Sequence, residues 1–134
     1  MKTKPVLSAA DVKTILAASE QHANANHWHV TISVVDDGGH LLGLLRLDGA
    51  APISAQISPA KARSAALGCR ESKGYEDAIN GGRYAFLSVP LQGMLEGGVP
   101  ILVGDQVIGA VGVSGVKSSQ DVEIGRAGIA ALKL

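Results

Sequence analysis

The sequence predicts an α+β fold: a five-stranded, mainly antiparallel sheet with helices packed on one face. Three observations predict it. Apolar residues recur at helical spacing near the amino terminus, a period of two replaces that spacing from His29 onward, and Gly-, Asp- and Ser-rich turn sequences separate the segments. Helices interspersed with hairpins, rather than strictly alternating with single strands, favour an antiparallel sheet.

Ser8-Ala-Ala-Asp11 matches a capping box with Asp in the Glu position, and Val12, Ile15, Leu16, Ser19 and Ala23 follow at helical spacing. The first helix is expected to reach about Asn24. From His29 to Val35, Val30, Ile32 and Val34 share one face and Thr31 and Ser33 the other, the pattern of a half-buried strand. Asp36-Asp-Gly-Gly39 is turn chemistry, and His40 to Leu47 reads as the returning strand of a hairpin. Ser58-Pro59 reads as the cap and first turn of a second helix, whose small residues Ala60, Ala62, Ala65, Ala66 and Cys69 permit close approach to another surface. Gly74 is expected to break it, with a further helical turn over Tyr75 to Ile79. Tyr84 to Val89, bracketed by glycine pairs, reads as a third strand. Val99 to Val103 and Gln106 to Ser114 flank Gly104-Asp105 and form a second hairpin, and Ser118-Ser-Gln-Asp121 repeats the S-x-x-D cap before a closing helix. The layout resembles a profilin-like or PAS-like arrangement.

The 134 residues suffice for one domain, 1–134, with one core. Twelve Lys+Arg balance twelve Asp+Glu, leaving no field to condense on nucleic acid or an anionic membrane. Neither is an expected partner. Trp28, Tyr75, Tyr84 and Phe86 are too few for a base-stacking platform. The lone Cys69 excludes an internal disulfide and reads as a small buried hydrophobe. No apolar run approaches the roughly 18 residues of a membrane span, and residues 1–8 lack the apolar stretch of a secretory signal. A cytoplasmic location is therefore expected.

Arg46 and Asp48 are alternate residues near a strand end and share a face, as an ion pair or as a clamp for an anionic ligand. Lys61 and Arg63 lie early in the second helix, where backbone N–H groups attract anions. Glu96-Gly97-Gly98 precedes a strand, and paired glycines permit an anion-binding nest or close ligand approach, with Glu96 as a base or hydrogen-bond partner. Arg46, Asp48, Lys61, Glu96, Gly97 and Gly98 are thus the candidate ligand-binding residues, and Glu96 and Asp48 the candidate proton carriers. Gly109, Gly112 and Gly115 point to tight packing of a helix on the last strand. No His, Cys, Asp or Glu spacing marks a metal site.

Val34-Val-Asp-Asp-Gly-Gly-His-Leu-Leu42, Arg46-Leu-Asp-Gly-Ala50, Lys61-Ala, Glu96-Gly-Gly-Val-Pro-Ile101 and Ile108-Gly-Ala-Val-Gly-Val-Ser-Gly115 followed by Gln120-Asp121 occur in one order. Over residues 8–134 the chain resembles the GlcG/HbpS family of small haem-binding or haem-degrading-like domains. The resemblance implies haem or another small-molecule ligand and a symmetric homo-oligomer. It also makes His29 and His22 the candidate axial ligands among His22, His27, His29 and His40. The D/E-x-x-E iron motif of extracellular members is not matched, because Glu71 and Glu76 are spaced E-x-x-x-x-E. Alternative functions are an enzyme or enzyme accessory acting on a small carboxylate in catabolism, with Arg46 and Lys61 holding the anion, and a structural assembly unit.

Overall fold

The computed structural model describes residues 1–134. Its elements are α1 (Ala9–Ala25), β1 (Thr31–Asp36), β2 (Leu41–Arg46), α2 (Ser54–Gly68), α3 (Lys73–Asn80), a 3-10 turn (Tyr84–Ser88), β3 (Gly98–Val103), β4 (Gln106–Ser114) and α4 (Ser118–Ala130). The sheet has four strands in the order β2-β1-β4-β3, every neighbouring pair antiparallel.

The α+β class and the antiparallel sheet agree with the sequence expectation; the fifth strand does not. Tyr84 to Val89 forms the 3-10 turn, held by Arg83 stacked 4.8 Å from the Phe86 ring and by Phe86 edge-on to Tyr75. The helices also occupy both faces of the sheet. α2 lies on β4, β1 and β3, whereas α1 and α4 pack on each other and on the opposite face. That covers β1 on both sides: Thr31 and Ser33 are fully buried, not solvent-facing.

Helix α1 starts as expected, with the Ser8 hydroxyl accepting from Asp11 N and Asp11 accepting from Ser8 N. Helix α2 starts four residues before Ser58, so Pro59 sits inside it rather than at its first position. Proline's fixed φ is compatible with a helix, and only one backbone bond is forfeited. Ser58, freed from a capping role, turns its hydroxyl into the sheet and donates to Gly112 O at 2.8 Å. The helix ends at Cys69, which adopts a left-handed conformation and is exposed, not buried as its residue type suggested. Gly74 lies within α3 rather than breaking a helix.

The α1/α4 face is aliphatic. Ile15, Ile32, Val34, Val111, Val113 and Ile124 form its centre. The α2 face is built from small and hydroxylated residues. Ala62, Ala65 and Ala66 meet Val35 and Ala110, Thr31 Oγ1 and Ser54 Oγ share a hydrogen bond of 2.7 Å, and Ser58 is 2.7 Å from Ser33. Gly112 permits this approach, since a Cβ there would collide with the Ser58 carbonyl and Ala62. The close helix packing expected of Gly109, Gly112 and Gly115 is present at Gly112; Gly109 instead faces Val35 O of β1 and Leu7, and Gly115, just past β4, faces His29 O and Val30.

Candidate functional site

Lys61, on α2, is directed into the protein rather than toward solvent, with only 5% of its side chain exposed. Its ammonium donates to Val113 O at 3.0 Å and to Asp121 Oδ2 at 3.1 Å. The other Asp121 oxygen accepts from Val116 N at 3.3 Å. Burial pushes the Asp121 carboxyl up to about 6; Lys61 and the Val116 N–H pull it back, and Glu96 adds to the rise. Asp121 is thus the internal partner of Lys61 and not the cap of α4. Gln120 takes the capping place, accepting from Lys117 N.

The Glu96-Gly97-Gly98 segment closes over this pair. Gly97 has φ +137°, and a Cβ on it would lie 2.7 Å from Lys61 Nζ. At Gly98 a Cβ would strike the Lys61 carbonyl. Ser72 Oγ accepts from Gly98 N at 2.8 Å and donates to Leu95 O, which fixes the segment to the start of α3. Lys61, Gly97 and Gly98 therefore come together with half-buried Glu96 nearby, in a packed interior rather than an open nest.

Arg46 and Asp48 lie elsewhere. Arg46 pairs with Thr31 at the end of β2, on the opposite sheet edge from Gly98. Three strand spacings of about 4.8 Å put these edges ~14 Å apart. Both Arg46 and Asp48 are exposed, and neither forms an ion pair, with each other or otherwise. Leu47 N donates to Val30 O, so the antiparallel pairing runs on past the strand ends and brings His29 beside the Asp48-Gly49 turn. A Cβ on Gly49 would be 3.2 Å from the His29 ring. The His29 imidazole is exposed and makes no hydrogen bond, whereas His22 Nε2 is held 2.7 Å from Glu123 Oε2.

The surface concavities are at a third place. One hollow of about 430 Å³ is lined by Ala60, Arg63 and residues 89–92; a second, of about 380 Å³, lies between α3, the 3-10 turn and residues 91–95. No three His, Cys, Asp or Glu side chains converge to hold a metal ion, and no helix is long and apolar enough to cross a membrane.

Residues 7–130 match the family described as haem degrading protein HbpS-like. The chain belongs to the HbpS-like family. Within reach of that match, it is 58% identical to the protein GlcG of Escherichia coli strain K12 over 114 residues, 85% of each chain. Among solved structures of the HbpS-like fold, Klebsiella pneumoniae protein ORFY superposes with a TM-score of 0.88 at 32% identity, covering 99% of this chain and 96% of that one. The PduOC:haem complex superposes with a TM-score of 0.84 at 26% identity, covering 95% of both. The family resemblance carried by the glycine-containing strings is thus confirmed. Asp121 belongs to those strings, but its pairing with Lys61 had no signal because it sits in a sequence that reads locally as a cap; Ser72 had no signal at all, preceding an unremarkable lysine.

Proposed function

We propose that this HbpS-like chain binds haem or a related tetrapyrrole in the cytoplasm as a homo-oligomer, with His29 as axial ligand. The observation that carries the reading is the unengaged His29 imidazole at the same sheet edge as Arg46, whose guanidinium has no carboxylate partner. Continuing the Thr31–Arg46 register makes residues 29 and 46 diagonal neighbours, ~7–8 Å apart at the backbone. That spacing suits a ring bound through its metal by the imidazole and through a propionate by the guanidinium, which forks onto carboxylates. His22 is the weaker ligand, because its Nε2 is engaged by Glu123.

Haem held there would supply an iron centre; this chain's own residues orient it and neutralise its acid groups. Exposed Leu44 shares the strand face of Arg46 and offers an apolar wall. One chain gives only one wall, and a second copy would give the other. Lys61, Gly97 and Gly98 act from behind, by fixing α2 to the sheet. Similarity to the PduOC:haem complex supports the ligand class. The reading is tested by titrating haemin into the purified protein while following the Soret band and light scattering. A saturable shift at one haem per chain, with a mass above 13.7 kDa, is expected. A spectrum that stays that of free haemin would overturn it.

A further inference from the structure

The chain has four arginines besides Arg63, and three are engaged by its own groups: Arg126 pairs with Glu71 at 2.7 Å, Arg70 stacks on Tyr75 and Arg83 on Phe86. Arg46 is assigned above to the tetrapyrrole edge. Arg63 makes no ion pair or side-chain hydrogen bond, yet it is placed: a Cβ on Gly39 would be 2.9 Å from Arg63 Cγ and 3.4 Å from its Nη1, so the β1–β2 turn supports the side chain along its length, and Arg63 lines the 430 Å³ hollow. The second hollow adjoins it, for Leu91 lines both. That second hollow is mainly apolar, with Ile79, Leu87, Met94 and Leu95 on its walls.

The loop between the hollows is pinned at three points. Ser64 Oγ donates to Gln92 O at 2.6 Å, Gly93 packs so closely that a Cβ would be 2.6 Å from Ala60 Cβ, and Ser72 Oγ donates to Leu95 O. A loop held this way keeps its walls in place before any ligand arrives, which lowers the entropic cost of binding. The volumes fall in the range of small-molecule sites, roughly 300–1,000 Å³.

We propose that the two hollows form one site for an elongated organic carboxylate, its anionic end on Arg63 and its apolar body running past Leu91 into the second hollow. An acid without an apolar body leaves the Leu91 side uncovered; an apolar molecule without an acid leaves Arg63 unpaired. Glu76 and Asn80, which also line the second hollow, disfavour a second anionic group there and accept a hydroxyl or amine donor. The site is separate from the His29 edge and does not depend on haem binding.

Calorimetric titration with octanoate, octanol and acetate tests it. Octanoate is expected to bind saturably, with octanol and acetate each at least about tenfold weaker, the usual effect of losing a hydrogen bond to a charged group or a buried apolar chain. Arg63→Gln should bring octanoate to the level of octanol, Arg63→Lys should restore part of the difference, and Leu91→Asp should weaken octanoate by tenfold or more. Haemin-loaded protein should bind octanoate equally well. Absence of octanoate binding, equal binding of octanol, an unaffected Arg63→Gln variant that keeps the parent melting curve, or competition by haemin would each overturn the proposal.

Discussion

The two faces of the sheet are stabilised by different physics. On the α1/α4 face, Ile32, Val34, Val111 and Val113 interdigitate with Ile15 and Ile124, so burial of aliphatic surface holds the helices down. On the α2 face there is little aliphatic volume to bury. Alanines and Gly112 let the helix approach, hydroxyl pairs satisfy what that approach buries, and Lys61 reaches from α2 to Asp121 on α4; no buried side-chain nitrogen or oxygen is left without a partner. An aliphatic face tolerates exchange of one hydrocarbon for another of like volume, whereas a hydrogen-bonded face fixes the helix at one position and one height. The candidate groups His29 and Arg46 and both hollows belong to the second side, where position matters most.

The comparison breaks most readily at Lys61. Lys61→Met leaves the Asp121 carboxylate buried without its cation and should cost about 3–5 kcal/mol in chemical denaturation at neutral pH. Adding Asp121→Asn removes the stranded charge and should recover most of that loss. On the other face, Ile32→Ala should cost about 2–5 kcal/mol as cavity plus lost burial, with no change in pH dependence. A pH-dependent effect of Ile32→Ala would erase the distinction between the faces.

The pH response sharpens it further. Burial raises Asp121 from 3.8 to about 6, so the folded chain holds that proton more tightly than the unfolded one. The stability it contributes is fully present below pH ~3.8 and lost as pH rises through about 6, by on the order of 3 kcal/mol for a two-unit displacement. Asp36 works in the opposite sense and at lower pH. Partial burial pushes it up, but the His40 and Gly38 amides outweigh that and leave it lowered, so its contribution is present above 3.8 and lost as pH falls below. Unfolding free energies between pH 4 and 6 should therefore decline in the parent and lose that decline in Asp121→Asn. The smallest effect is expected at Ser58→Ala, about 1–3 kcal/mol by thermal or chemical unfolding, because Ser33 loses its partner inside a packed layer.

What the sequence made legible was local or periodic. Both hairpins, the Ser8–Asp11 capping box and the helix-packing role of Gly112 were readable because turn chemistry, capping and the lack of a Cβ act over a few residues. The errors came where a distant partner decides. Thr31 and Ser33 looked solvent-facing because their alternation with valines is that of a half-buried strand; only α2, with Ser54 and Ser58, makes that face an interior. Asp121 read as a cap for the same reason, its partner Lys61 being sixty positions away. Tyr84 to Val89 has strand-like composition but finds no neighbour in the sheet, so aromatic and cation–π contacts hold it in a turn instead. Sequence gives no strand order and so leaves Arg46 and Lys61 as partners for one anion; the order β2-β1-β4-β3 sends them to different places.

The most direct test of the functional account is haemin affinity and the Soret spectrum of His29→Ala beside those of His22→Ala, with melting temperatures recorded for both. Loss of the bound-haem spectrum in His29→Ala at an unchanged melting temperature, with parent-like binding in His22→Ala, is the expected result. Parent-like haem binding by His29→Ala would contradict the account.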